Sequence, residues 1–203
     1  MNQALILASK SPRRRELLTQ LGYQFTCVSA DIDERYFEAE NPTEYVLRLA
    51  MTKARVIADI SDKNSIVLGS DTCVVVGNEI LSKPQNFADS QRMLNLLSER
   101  KHQVLTAIAV VNSRQQLSTV VSTDVFFKKL LPHEIKNYWQ TGEPQDKAGS
   151  YGIQGIAGQF VTKLQGSYSA VVGLPLYETV ELLSQFGINN SVNYNMSARE
   201  KLL

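Results

Sequence analysis

Apolar positions recur along this chain at two spacings, every second residue or every three to four, and its elements change where one spacing yields to the other. Residues 4–8 read as a short buried strand. Ser11 and Pro12 form the N-cap and first position of a helix that runs to Leu21 and stops at Gly22. Residues 24–29 read as a second strand, and Asn41-Pro42-Thr43 opens a longer helix reaching about Ile60. An apolar strand over residues 66–71 ends in the carboxylate of Asp71. Beyond it, Gly77-Asn78 suits a tight turn between residues 72–76 and 79–81.

The second half continues in the same manner. Asn86 or Asp89 caps a helix with Met93, Leu94 and Leu97 on its apolar face, and residues 103–111 and 117–127 form a long β-hairpin. A brief helix over 132–140 ends at Gly142, residues 160–164 return to strand, and a last amphipathic helix starts at Pro175 and closes at Gly187. Residues 189–203 are polar and rich in asparagine, which predicts weak order. The pattern predicts one α/β unit with a mixed sheet over residues 1–187 and a polar tail over 188–203.

Composition narrows the function. The 203 residues carry 21 Lys+Arg against 20 Asp+Glu, a net charge of +1, and 43% are hydrophobic. A protein that coats nucleic acid shows a basic excess, which is missing here. The apolar runs fall well short of the roughly 18 residues of a membrane helix. The opening residues do not read as a secretory signal, so a cytoplasmic protein is expected. Cys27 and Cys73 form no CxxC motif and read as buried thiols. His102 and His133 lack the spacing of zinc ligands and read as surface residues.

Candidate chemistry gathers at a few places. Ser9-Lys10-Ser11-Pro12-Arg13-Arg14-Arg15 joins a strand to a helix start, where cations destabilise the helix unless an anion docks there. Arg13 and Arg14 offer the planar donors that suit phosphate. Val46, Leu49, Lys53, Ile57 and Ile60 follow at steps of 3, 4, 4 and 3, which puts Lys53 inside an apolar stripe. Either Lys53 snorkels to solvent, or it faces a cleft whose anionic ligand supplies its counter-charge. On this pattern alone methionine would suit position 53 without loss of stability.

Asp71, at a strand end, reads as a metal ligand, a base or a capping residue, and Glu34 as a metal ligand or part of a solvated acidic loop. With no histidine cluster, a metal would be Mg²⁺ or Mn²⁺ held by carboxylates, water and phosphates. Gly149, Gly152, Gly155 and Gly158 recur every third residue and predict a shaped loop, either a packed surface loop or one that lets backbone approach a ligand. Gln154 within it can both accept from and donate to a nucleobase edge.

These residues stand within a longer pattern. It comprises Ala8-Ser9 with Ser11-Pro12-Arg13-Arg14, Gly69-Ser70-Asp71-Thr72, Leu81-Ser82-Lys83-Pro84, Ala148-Gly149-Ser150-Tyr151-Gly152-Ile153-Gln154-Gly155, and Gly166-Ser167-Tyr168 with Val172-Gly173-Leu174-Pro175-Leu176. Over residues 3–187 the chain resembles the Maf family of nucleoside triphosphate pyrophosphatases. The resemblance implies an elongated α/β fold of the inosine-triphosphatase type, with a twisted mixed sheet flanked by helices and a cleft between two lobes. It also implies a homodimer and a divalent metal.

The Arg-Arg after Ser-Pro, the Asp-Thr and the Ile-Gln of the glycine loop resemble the branch that acts on dTTP and UTP rather than on methylated GTP. By that resemblance Asp71 is the proton acceptor, and Arg13, Thr72 and Gln154 are selectivity positions. Ser9, Arg14, Glu34, Lys53 and Lys83 match positions lining the nucleotide cleft. Ser70 stands where the family commonly has alanine. The expected activity is cleavage of dTTP or UTP to the nucleoside monophosphate and pyrophosphate, with modified pyrimidine nucleotides as further substrates. A nucleotide-binding regulator of septum formation that needs no turnover is the rival expectation.

Overall fold

The computed structural model describes residues 4–37 and 40–190. In chain order the elements are β1 (Leu5–Leu7), α1 (Pro12–Gln20), β2 (Thr26–Cys27), α2 (Pro42–Asp59), β3 (Ile66–Val76), β4 (Glu79–Leu81) and α3 (Phe87–Leu97). They continue with β5 (Lys101–Val111), β6 (Gln116–Phe127), α4 (Pro132–Gln140), β7 (Val161–Gln165), α5 (Tyr168–Val172) and α6 (Leu176–Gln185). Three 3-10 turns, Glu143–Asp146, Ala148–Ser150 and Ile156–Phe160, fill the glycine-rich stretch between α4 and β7. The weak order expected of the tail falls, from residue 191 onward, outside the described residues.

Helix starts follow their caps. Ser11 accepts from the Arg14 N–H ahead of Pro12, and Asn41 forms a capping box with Glu44 that satisfies the free N–H groups at the head of α2. Gly22 and Gly187, at φ of 78° and 77°, supply the left-handed turns that end α1 and α6. The short helix α5 escaped the sequence pattern, although Ser167, which caps it by accepting from the Ala170 N–H, was its local signal. Strand β2 has only two residues and both are exposed, so Cys27 is exposed rather than buried; Cys73 is buried as expected.

The seven strands form one mixed sheet in the order β2-β1-β3-β5-β6-β7, with β4 also paired to β3. The pairs β1-β2 and β1-β3 are parallel, and the rest are antiparallel. Strand β3 is paired to β5 along almost its whole length, from Val67 opposite Val111 to Val75 opposite Gln103. Asp71 therefore lies in mid-strand, not at a strand end. On the other edge of β3, β1 covers Ile66 to Leu68 and β4 covers Val74 to Val76, which leaves residues 69–73 without a strand partner there.

Alternation along β3 assigns its residues to two faces. On one face Val67, Cys73 and Val75 pack with Ala107 and Ala109 of β5 under Val46, Ala50, Ala54 and Ile57 of α2. Helix and sheet approach closely because Gly69 has no side chain: a Cβ there would lie 2.2 Å from the Ala50 carbonyl oxygen. The other face holds two apolar clusters. Leu68, Ile108 and Val110 pack with α1 and α6, while Val74 and Val104 pack with α3, α4 and the glycine-rich stretch. Between these clusters Ser70, Thr72 and Thr106 interrupt the apolar run, which separates the two lobes.

Candidate active site

A cleft of about 850 Å³ opens at the uncovered edge of β3, and Ser9, Arg13, Arg14, Glu34, Lys53, Asp71, Thr72, Lys83 and Gln154 all line it. The fold thus assembles every candidate catalytic, binding and metal residue named from the sequence, from segments as distant as α1 and the glycine-rich stretch.

On the α2 face, Lys53 is buried at 8% exposure and so is Asp71. The close packing over Gly69 brings the Lys53 ammonium to 2.6 Å from Asp71 Oδ1, and the same Nζ lies 2.6 Å from Glu34 Oε1. Lys53 neither snorkels to solvent nor waits for a ligand: two carboxylates of the chain already supply its counter-charge. Burial raises the affinity of Glu34 for a proton, but the Lys53 hydrogen bond and the charges of Lys53, Lys83 and Arg14 outweigh it and hold the carboxyl below its ordinary range. Asp71 lines the cleft, and its Oδ2 takes no hydrogen bond among the described residues. Burial, with Asp71 and Glu34 adding to it, pushes the Tyr45 phenol up to about 12, and this protonated hydroxyl donates to the Glu34 carbonyl at 3.0 Å.

On the opposite face Arg14 is held by neutral acceptors. Its Nε donates to the Gly173 carbonyl at 2.9 Å, its Nη2 to Thr72 Oγ1 at 3.2 Å and its Nη1 to Ser9 Oγ at 3.4 Å. Thr72 shares a hydrogen bond with Thr106, which donates to the Ala170 carbonyl at 2.7 Å. Ser70 donates to the same Gly173 carbonyl at 3.1 Å, so the hydroxyl that departs from the family pattern braces the carbonyl that orients Arg14. Arg14 makes no ion pair among the described residues, and its pKa is lowered by burial, with Asp71 opposing that shift. A guanidinium so placed has its charge left for an anion in the cleft.

The rim is more exposed. Arg13 pairs loosely with Asp146 at 3.8 Å. Lys83 and Gln154 are exposed on the cleft and make no ion pair or hydrogen bond among the described residues. The glycine spacing has an internal cause, although Gly152 and Gly155 also line the cleft. A Cβ at Gly149 would meet Val74, one at Gly152 would meet Lys147, and one at Gly155 would fall 2.3 Å from the Glu143 carboxylate. Glu143 accepts from the Ile156 N–H at 2.8 Å and from the Tyr138 hydroxyl at 2.8 Å, so the loop folds around a carboxylate of its own.

Sequence reasoning missed Tyr45, Asp146 and the Gly173 carbonyl. Tyr45 was within reach, because it precedes Lys53 by two helical turns and shares its face. His102, expected at the surface, is 2% exposed; it is bonded to the Tyr151 hydroxyl at 2.8 Å and packed edge-on against Phe127. Burial lowers its pKa from 6.5 to about 4.

Glu34 Oε1 and Asp71 Oδ1 both bond the Lys53 ammonium, so a hard divalent cation would have to be held by the other oxygens of these two carboxylates. No cluster of three or more His, Cys, Asp or Glu that could hold a metal occurs among the described residues. Two carboxylates are a donor set of the kind Mg²⁺ would take, with water and substrate phosphates completing its shell. No helix among the described residues is long and apolar enough to cross a membrane.

The family model described as Maf-like protein matches residues 4–186. A dTTP/UTP pyrophosphatase of Vibrio vulnificus strain YJ016 is 59% identical over 182 residues, covering 90% of this chain and 98% of its own. One of Colwellia psychrerythraea is 57% identical over 196 residues, covering 95% and 92%. Among solved structures, the Ham1 protein of Staphylococcus aureus matches 62% of this chain and 72% of its own, with 15% identity and a TM-score of 0.46.

Proposed function

The chain belongs to the Maf family, and from that premise we propose that it hydrolyses dTTP and UTP to the nucleoside monophosphate and pyrophosphate. The observation that carries this reading is the buried pair Asp71 and Lys53, joined by the exposed Glu34, facing the Arg14 guanidinium across one cleft. The names of relatives at 57% to 59% identity support it.

The chemistry divides between the two faces. Arg14, Arg13 and Lys83 neutralise the triphosphate, and Arg14 is aimed at it by Ser9, Thr72 and Gly173. Asp71 holds the attacking water through Oδ2 while Lys53 fixes Oδ1. As water oxygen bonds to the α-phosphorus, the bond to the α–β bridging oxygen breaks, pyrophosphate leaves, and the proton of the water passes to Asp71. Glu34 and Asp71 would hold Mg²⁺ or Mn²⁺, which when bound neutralises phosphate charge. Thr72 and Arg13 set selectivity beside Gln154, which reads the pyrimidine N3–H and a ring carbonyl. Modified pyrimidine nucleotides presenting that same edge are further substrates. Family membership also leads us to a cytoplasmic homodimer that acts on free nucleotides rather than on nucleic acid or membranes.

Purified protein given each natural nucleoside triphosphate with Mg²⁺ or Mn²⁺ tests the reading, with pyrophosphate and orthophosphate assayed separately. Pyrophosphate from dTTP and UTP, with little from GTP or ATP, is the expected result. Orthophosphate as the first product, or no turnover of either pyrimidine nucleotide, would overturn it.

A further inference from the structure

The segment that carries Glu34 has little to hold it in place. Every residue from Asp33 to Phe37 is exposed, and a segment with so little buried surface opens at low free-energy cost. Glu34 nevertheless sits 2.6 Å from Lys53 Nζ. Its anchors come from α2, the helix that also carries Lys53.

Two side chains of that helix grip the backbone at Glu34 and at the next residue. The Tyr45 hydroxyl donates to the Glu34 carbonyl at 3.0 Å, and Arg48 Nη2 donates to the Arg35 carbonyl at 3.0 Å. The Arg48 guanidinium is itself fixed on its remaining sides. It forms a bidentate pair with Glu40 at 2.6 and 2.8 Å, and its Cζ lies 4.2 Å from the Phe37 ring centroid and 5.6 Å from that of Tyr45. The Tyr36 ring meets Tyr45 edge-on at 5.7 Å. Arg48 does not line the cleft, so it has no direct part in binding there.

We infer that Arg48 and Tyr45 are positioning residues that hold Glu34 in register with Lys53. A helix rises about 1.5 Å per residue, which places Tyr45 about 12 Å and Arg48 about 7.5 Å from Lys53 along α2. Because anchors and lysine share one rigid element, the Glu34 backbone is fixed relative to the ammonium rather than to the sheet. Arginine suits the task because its planar fork bonds a carboxylate and a carbonyl at once while its face covers an aromatic ring; lysine cannot do all three.

The inference rests on the reading of Glu34 as part of the reacting site, and the test keeps the two apart. Turnover of dTTP and UTP by the parent protein is measured first, then kcat/KM for Glu34→Gln, Arg48→Met, Arg48→Lys, Tyr45→Phe and the double variant Arg48→Met with Glu34→Gln. Amide hydrogen exchange over residues 34–37 is followed in the same proteins without nucleotide. Arg48→Met is expected to lower kcat/KM about tenfold or more, the usual cost of losing a group that orients a ligating side chain. Arg48→Lys should fall between Arg48→Met and the parent.

The double variant should be no worse than Glu34→Gln alone, because an anchor that acts only through Glu34 has nothing left to position. Exchange over 34–37 should quicken while β3 stays protected. Parent-like kcat/KM in Arg48→Met, unchanged exchange over 34–37, or losses that multiply in the double variant would each overturn the inference. Should Arg48→Met not fold, Tyr45→Phe runs the same cycle with an expected loss of about fivefold for one hydrogen bond. Should the parent lack turnover, the proposed activity fails by itself and the exchange measurement alone decides the anchoring.

Discussion

Asp71 and Thr72 are neighbours in β3 yet project to opposite faces of the sheet, and the two faces bury polarity in opposite ways. On the α2 face a buried lysine and a buried carboxylate are packed together as ions, and the exposed Glu34 adds a second carboxylate to the same ammonium. On the other face the polar groups are neutral or held by neutral partners: Thr72, Thr106 and Ser70 bond to one another or to backbone, Arg14 is held by uncharged oxygens, and His102 sits uncharged against Tyr151. The contrast suits a division of labour. Chemistry that moves a proton requires a fixed charge array, whereas a phosphate clamp requires a cation that no internal anion has already claimed.

The sharpest way to break this comparison is to neutralise the charged face. Asp71→Asn should bind nucleotide almost as well as the parent but lose turnover by on the order of 10²–10⁴, the contribution of a positioned general base. Single-turnover kinetics with a separate binding titration measure both quantities. Retention of more than about a tenth of the parent rate would take the base role away from Asp71.

Next in size is Lys53→Met, for which structure and sequence pattern disagree. The apolar stripe makes methionine look harmless, but in the fold it would leave Asp71 buried without its cation, and breaking a buried ion pair costs about 3–5 kcal/mol. Arg14→Met removes a cation whose partners are neutral oxygens, so its stability loss should be nearer 1–3 kcal/mol, the cost of leaving a few acceptors unpaired. Urea denaturation of the two variants side by side checks the ranking, and equal losses would erase the distinction between the faces.

His102 gives a pH-dependent test of the neutral face. Its folded pKa, about 4, lies below the ordinary 6.5, so the unfolded chain binds the proton more readily. Stability from this group is therefore present above pH 6.5 and is lost as pH falls toward 4, by up to about 3 kcal/mol. His102→Gln should flatten the stability curve in that window, and a variant with the slope of the parent would show that His102 is not the group responsible.

The smallest effect concerns selectivity. Gln154→Leu should leave stability unchanged and narrow the preference for dTTP and UTP over CTP by about tenfold, the worth of roughly one or two hydrogen bonds. Ratios of kcat/KM across the nucleotides decide it. Unchanged ratios would move base reading to Arg13 and Thr72.

Much of the site was legible because its residues fall in short motifs whose local chemistry is unusual. The arginines at the start of α1 oppose the helix dipole, and Lys53 interrupts an apolar stripe; of these residues Arg13, Arg14 and Lys53 line the cleft. Other residues were misread because their surroundings are distant in sequence. Cys27 sits in a β-branched stretch that suggested burial, but β2 pairs for only two residues at the edge of the sheet and leaves it exposed. His102 starts a strand and looked superficial until Phe127 and Tyr151 closed over it.

The sequence by itself determined where every α-helix but the short α5 starts and stops, which residue types could carry phosphate and proton chemistry, and the family, because caps, turn glycines and motif spacings act over a handful of residues. Only the tertiary structure decided that Asp71 stands in mid-strand at a gap between β1 and β4, that Lys53 is neutralised by Glu34 and Asp71, and that Arg14 is aimed by Gly173, 159 positions away. The physical reason is burial. Which groups lose water together depends on how α2 settles on Gly69 and how the α5 segment folds over β5, and charges and hydrogen bonds gain their strength and direction only once that packing is complete.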